Sequence, residues 1–518
     1  MSVEEPTPEA PTSEAPTSEV GSEHRRTRRV RRGPILFVVV VALVAAVVAQ
    51  QDTSDGSGGS SSARAVLAAN ASVGVPPADV SSSAWYCAAG TSSRDGSATE
   101  TVVVASLAHT DIQATITVMP GGDAKVATDT VRLAPGEEVS VPVADVLATA
   151  EPGVVVETVG GAAAVSHVLQ HGSDIAVESC TRTAAADWYF AAGTTVEGSA
   201  QDLLLFNPFG DDAIVDISFV TDTGVQEPAA LQALVVPRRS RVTIPVQDSV
   251  LRQARVAAHV HARTGRIVAE QTQSFDNVVV EGVTRNGIAL SAGATAPAAV
   301  WRVAAGSTSV GGRAQLALSN FSPSDATVEV RTIPVGGKAL PAQTVRVSSH
   351  GVVNVDVTQR VPLDTDFAVT ATARAVEGHR VPVVAELVAT WPPASSSPGL
   401  GSTIGSTITA TRWVVPEPDV DADVTITVFN PGAEPVTASL LPADEVDRAT
   451  GPTSEPELAV PAGGAKEISA ARVGNRPVGV VVTANHPVVV GYTVIGRAGV
   501  AISNALPDLT HTDVGRGG

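Results

Sequence analysis

The chain has 518 residues, 44% of them hydrophobic, only 3% aromatic, and a formal net charge of −19. An acidic chain of this kind repels phosphate polymers, which argues against nucleic acid as a partner. The scarcity of aromatic rings weakens, without removing, the case for a sugar-stacking surface.

Residues 1–32 read as a disordered cytoplasmic tail. Its first part is rich in Pro, Thr, Ser and Glu and reiterates a short Glu-Ala-Pro-Thr-Ser unit within residues 9–19. Such a composition cannot bury enough apolar surface to order itself. Six arginines follow, from Arg25 to Arg32. Residues 33–50 read as a transmembrane signal anchor, because residues 34–49 are uniformly apolar. That run spans roughly 24 Å as a helix, and flanking residues complete the hydrocarbon thickness. The arginines on its N-terminal side set the orientation: N-terminus in the cytoplasm, the remainder outside the plasma membrane. The alternative is secretion after signal cleavage near Ala49, where small residues resemble a cleavage site. Residues 51–80 form a Ser/Gly-rich tether.

A large repeat then begins. Trp85-Tyr-Cys-Ala-Ala-Gly-Thr, Trp188-Tyr-Phe-Ala-Ala-Gly-Thr and Trp301-Arg-Val-Ala-Ala-Gly-Ser open three similar passages, and Trp413-Val-Val-Pro opens a fourth without Ala-Ala-Gly. The tryptophans are 103, 113 and 112 residues apart, the size of a small domain. Strands of period-two alternation and β-branched residues follow each Trp, punctuated by Gly, Pro, Asn and Asp. Seven or so short strands per unit predict an all-β chain of four tandem immunoglobulin-like β-sandwich repeats after the single membrane helix. The units are 81–183, 184–297, 298–409 and 410–510, with a tail at 511–518. Each is long enough to bury its own core, so independent sandwiches are expected. A β-propeller with two blades per repeat is the alternative.

Cys87 and Cys180 both fall in repeat 1, in its first and last strands. In an exported domain they predict one disulfide closing about 90 residues, with two buried free thiols as the alternative. The four tryptophans sit at the starts of apolar strands and are expected in the repeat cores rather than on a sugar-binding face. Asn207, Asn320 and Asn430 recur where a strand meets a turn, as side-chain turn caps do.

No catalytic or phosphate-binding signature is present, and no catalytic residue or cofactor is assigned. His259-Val-His261 places two imidazoles on one strand face, a spacing that can bind zinc, but no third ligand is identifiable and two solvent-facing strand residues are the preferred reading. His167 and His171 carry no motif. Asp419, Asp421 and Asp423 offer three carboxylates at alternate positions and are the one weak calcium candidate, short of the Gly and distal Glu of a calcium loop.

The passage Trp188-Tyr-Phe-Ala-Ala-Gly-Thr-Thr, then Leu203-Leu-Leu-Phe-Asn-Pro208, then Ile214-Val-Asp-Ile-Ser-Phe219, set behind an Arg-rich N-terminus and one membrane segment, resembles the actinobacterial DUF5719 family. The resemblance implies an exported, membrane-associated envelope protein of uncharacterised function and assigns no functional residues. The expected role is a non-catalytic structural or interaction scaffold outside the plasma membrane. Its expected partners are the membrane itself, through residues 33–50, and envelope proteins or cell-wall polymers. A cell-wall glycan-binding module and an envelope hydrolase are the alternatives. The differences among repeats point to repeats 1 and 4 as the places for a specialised site.

Overall fold

The computed structural model describes residues 74–76, 80–93, 98–121, 124–376, 378–418, 420–443, 445, 456–473, 479–497 and 499–513. The predicted cytoplasmic tail and membrane anchor, and nearly all of the tether, lie outside these residues. Among the described residues no helix is long and apolar enough to cross a membrane.

Among its described residues repeat 1 contains eight strands: β1 (Ser82–Cys87), β2 (Thr99–Ser106), β3 (Ile112–Met119), β4 (Ala127–Leu133), β5 (Glu138–Pro142), β6 (Gly153–Val159), β7 (Ala163–His171) and β8 (Asp174–Ser179). They form two antiparallel sheets, in the orders β1-β6-β3-β4 and β5-β2-β7-β8. Repeats 2, 3 and 4 reproduce this arrangement. In repeat 4 one 17-residue strand, Val480–Gly496, serves as both β6 and β7 and crosses from one sheet to the other. The architecture is therefore the expected sandwich, with eight strands where about seven were anticipated.

Alternation builds each core. Ile112, Ala114, Ile116 and Val118 of β3 are buried while their neighbours are more exposed. Together with Trp85, Val102, Val104, Val154 and Val156 they fill the space between the two sheets of repeat 1. Leucine, valine and phenylalanine at equivalent positions do the same in repeat 2 around Trp188.

The sandwiches are not independent. The counterparts of β8 are Val283–Ala292, Gly399–Ile404 and Gly499–Asn504, and the four strands pack around a common axis. Their backbones approach closely: a Cβ added to Gly287 would lie 3.3 Å from the Cα of Gly399, and one added to Gly499 would lie 2.8 Å from the carbonyl oxygen of Ser173. Repeat 4 thus returns to repeat 1 and the ring closes. The outward faces of the sandwiches are also apolar and meet at the seams. Tyr86, Met119 and Val155 of repeat 1 pack on Leu204, Phe206 and Val268 of repeat 2. Val220 and Ala257 of repeat 2 meet Val352 and Phe321 of repeat 3. Ala304, Ile333 and Ala368 of repeat 3 join the core of repeat 4, and Val414 and Val481 of repeat 4 join that of repeat 1. Burying both faces removes more apolar area from water than four separate domains could, which is why the expectation of independent sandwiches gives way. Eight sheets alternate around the axis, so the radial order shares something with the propeller alternative, although each repeat is a sandwich in its own right.

Candidate functional site

The four tryptophans lie in the repeat cores, all buried. Three indole N–H groups donate to the carbonyl oxygen just before or at the start of the seventh strand: Trp188 to Ile267 at 2.8 Å, Trp301 to Val383 at 2.6 Å and Trp413 to Val488 at 3.1 Å. Trp85 makes no such bond, and the Arg182 guanidinium lies 5.8 Å from its ring centre. Cys87 and Cys180 are joined as a disulfide, tying β1 to the residue after β8. Asn207, Asn320 and Asn430 cap turns in the same way. Each Nδ2 donates to the carbonyl four residues on, at 2.7–2.8 Å, and each Oδ1 accepts from the amide two residues on.

The recurring Ala-Ala-Gly has a role that the sequence did not reveal. Glu270, on the seventh strand of repeat 2, accepts hydrogen bonds through Oε2 from the backbone N–H groups of Ala88 and Ala89 in repeat 1, at 3.0 and 2.6 Å. Glu386, at the same position in repeat 3, accepts from Ala191 and Ala192 of repeat 2, at 3.1 and 2.9 Å. Two amides at the edge of one sandwich thus hold a carboxylate from the next. Alanine suits the place because its small side chain lets the neighbouring sheet come within hydrogen-bonding reach of the backbone. Gly90 is required on two counts: its φ is +100°, and a Cβ there would lie 2.6 Å from the Cβ of Glu100.

The other two seams differ. At the third, Gly491 occupies the position of the glutamate, and a Cβ there would sit 2.6 Å from the Ala304 carbonyl oxygen. The two backbones meet directly. At the fourth, repeat 4 lacks Ala-Ala-Gly and repeat 1 carries Ser166 at the glutamate position. Glu138 of β5 takes over and accepts from the Glu417 amide at 3.3 Å.

The first seam is the most highly charged. Arg241 of repeat 2 is buried and donates to the carbonyl oxygens of Ala88, Gly90, Ala150 and Pro152 in repeat 1. The same Ala-Ala-Gly turn is therefore gripped by a carboxylate on its amides and a guanidinium on its carbonyls. His167 bridges behind it, with Nδ1 3.1 Å from Glu100 Oε1 and Nε2 3.6 Å from Glu270 Oε2. Burial raises the Glu100 carboxyl well above its usual range, with Arg241 opposing. Burial also pushes Glu270 up to about 7 against the pull of His167 and the two amides. The same burial lowers His167.

A second polar layer crosses the axis. Glu178 of β8 and its counterparts Ser291, Thr403 and Ser503 are all buried. Glu178 accepts from the Ser179 amide at 2.9 Å and from the Ser503 hydroxyl at 3.2 Å, and burial pushes it up to about 7. Glu386 accepts from the Ser402 hydroxyl at 2.7 Å. The signal that could have found these residues is an acid inside an apolar strand, as in Val384-Ala-Glu386-Leu-Val.

Of the calcium candidates, Asp421 and Asp423 sit on the exposed side at the start of a strand and Asp419 lies outside the described residues. Among the described residues Asp421 and Asp423 do not fall in any group of three clustered metal-ligating side chains. His171 borders a surface cleft of about 450 Å³ between repeats 1 and 2, with Asp174, Ser199, Phe275, Asp276 and Asn286.

The fold defines a closed ring of four β-sandwiches, two of whose seams are sealed by buried carboxylates. Residues 159–298 match the family described as "Family of unknown function (DUF5719)", which bears out the resemblance drawn from the sequence for that stretch. The matched stretch runs from the end of β6 through the whole of repeat 2. No curated protein matches the chain. Among solved structures, Thermotoga maritima 1070 is 18% identical over 21% of this chain and 94% of its own, with a TM-score of 0.19. A tetra-tandem repeat from the extending region of a large adhesion protein is 14% identical over 76% of this chain and 91% of its own, with a TM-score of 0.10. Neither likeness is close enough to bear on fold or function.

Proposed function

We propose that the protein is a non-catalytic scaffold of the cell envelope, held in the plasma membrane by residues 33–50 with the ring outside. The observation that carries this reading is closure: four repeats form one body whose conspicuous buried acids are engaged at the seams. Glu270 and Glu386 are held by backbone amides, and Glu178 by an amide and a hydroxyl. An acid so engaged stiffens the body and is poorly placed for proton transfer to a substrate. The disulfide in repeat 1 suits an oxidising compartment.

A tagged full-length chain should fractionate with membranes and lose its ring to protease added outside intact cells. A chain protected from external protease would refute the placement. The glycan-binding alternative draws support from the cleft between repeats 1 and 2, where Asp174, Asp276 and Asn286 offer polar groups beside the buried Phe275. Retention of the ring on isolated envelope polymers at low salt, reduced by Asp276→Ala, would favour it over the pure scaffold. Any hydrolase activity removed by substituting a carboxylate in that cleft would overturn the non-catalytic reading.

A further inference from the structure

The histidine pair that lacked a third ligand in the sequence has one in the fold. Asp187, in the first strand of repeat 2, pairs across the sheet with His261. Its Oδ1 lies 2.9 Å from His259 Nε2 and 2.8 Å from His261 Nδ1. Three donor atoms of the types that bind zinc therefore converge within 4.8 Å of one another. Ligands in a tetrahedral zinc shell, at roughly 2.0–2.2 Å from the metal, lie about 3.3 Å apart, so small side-chain movements admit an ion.

We infer that Asp187, His259 and His261 form a divalent transition-metal site, suited to zinc, on the outward face of repeat 2 beside its seam with repeat 3. Imidazole nitrogens with one carboxylate favour zinc over calcium or magnesium, which take oxygen ligands. The histidines need only adopt the tautomers that turn a lone pair toward the ion, and the carboxylate then neutralises part of its charge.

The surroundings are built for orientation. The Tyr189 ring stacks on His259, with centroids 4.2 Å apart and planes 4° from parallel. Phe321 of repeat 3 stands edge-on to both rings, at 5.1 and 6.1 Å. One ligand is thus locked by packing from two repeats, as supporting residues lock ligands in metal centres. On the other side of His261, Asp216 is its cross-strand neighbour and is paired with Arg263.

The repeats supply an internal comparison. The positions of Asp187, His259 and His261 are Ala84, Val155 and Glu157 in repeat 1, Val300, Thr370 and Thr372 in repeat 3, and Arg412, Val481 and Thr483 in repeat 4. The sandwich forms without the triad in three repeats, so the fold does not need it. Three protein ligands leave a fourth position facing outward, where water or an oxygen donor from a partner would complete the shell.

The test is a zinc titration of the purified full-length chain in detergent, followed by calorimetry and by metal content after dialysis. It is repeated on His261→Ala and Asp187→Asn, each first checked for an unchanged circular dichroism spectrum. Cobalt is used in parallel, since its visible absorption reports tetrahedral coordination. The expected result is one zinc per wild-type chain, with affinity at least about tenfold weaker in each variant. A wild type that takes up no zinc, leaving the triad as a hydrogen-bonded cluster only, overturns the inference. So does zinc bound equally by wild type and both folded variants. If His261→Ala fails to fold, His261→Gln and the Asp187→Asn data decide.

Discussion

Glu386 of repeat 3 places its Oε2 2.9 Å from the backbone nitrogen of Ala192 in repeat 2, across 194 residues of sequence. The glutamate and the Ala-Ala-Gly are two halves of one joint. Replacing Glu386 by Ala leaves the buried Ala191 and Ala192 amides without their acceptor and takes one of two acceptors from the Ser402 hydroxyl. The expected loss is about 2–4 kcal/mol, since each buried group left unsatisfied costs about 1–3 kcal/mol. Glu386→Gln, which keeps an acceptor oxygen, should lose less. Denaturant unfolding followed by tryptophan fluorescence reads the difference.

Acidity should stabilise the ring over part of the pH scale. Glu178 and Glu270 are pushed up to about 7 in the folded chain by burial, against an ordinary value of about 4.3 when unfolded. Between these two values the folded state binds more protons than the unfolded state, so their contribution falls as pH rises from about 4.3 to 7 and is level above that. Each group accounts for roughly 3–4 kcal/mol across the window. Melting temperature should therefore decline from pH 5 to pH 7.5. The double variant Glu178→Gln with Glu270→Gln should flatten the decline, and an unchanged slope in that variant would count against buried ionisation as its cause.

Reduction should loosen repeat 1 before the rest. The Cys87–Cys180 bond spans 93 residues, and the loop-closure model assigns such a cross-link about 4–5 kcal/mol. Hydrogen exchange with and without reductant should show faster exchange concentrated in β1 and β8. Uniform acceleration through all four repeats would mean that the bond guards the whole ring.

Gly491→Ala should be poorly tolerated although it adds a single methyl group. The new Cβ would lie 2.6 Å from the Ala304 carbonyl oxygen, in a seam where backbone meets backbone. A loss of about 3 kcal/mol or more is expected, at the severe end of overpacking. Gly224→Ala, at an open surface turn with nothing near its Cβ, is the control. It carries the backbone strain of its φ of +109° but no steric clash, so a larger loss at Gly491 isolates the clash.

The repeat, the strands, the tryptophan cores and the turn-capping asparagines were legible because each rests on local pattern. Asn207 caps a carbonyl four residues away, and period-two alternation marks β3. The seams were not legible, because Glu270 meets Ala88 and Ala89 across more than 180 residues. One clue was present: the continuous apolar runs Val102-Val-Val-Ala105 and Ala162-Ala-Ala-Val165 do not alternate, as strands buried on both faces do not. The histidine pair was visible, but its carboxylate partner depended on a strand pairing made 72 and 74 residues away. Differences among repeats had pointed to the two ends, whereas the clustered ligand set lies in repeat 2.

The ring also has a clasp. Val75, at the entry to repeat 1, forms a parallel bridge with Asp508 at the end of repeat 4: its N–H donates to the Pro507 carbonyl at 2.8 Å, and its own carbonyl accepts from Leu509 at 3.1 Å. A pull on the chain ahead of Val75 would enter at the point where first and last repeats are fastened together. A string of separate beads would yield to such a pull one bead at a time. Here repeat 4 would share the load from the outset, and the body would resist traction as a single buckle.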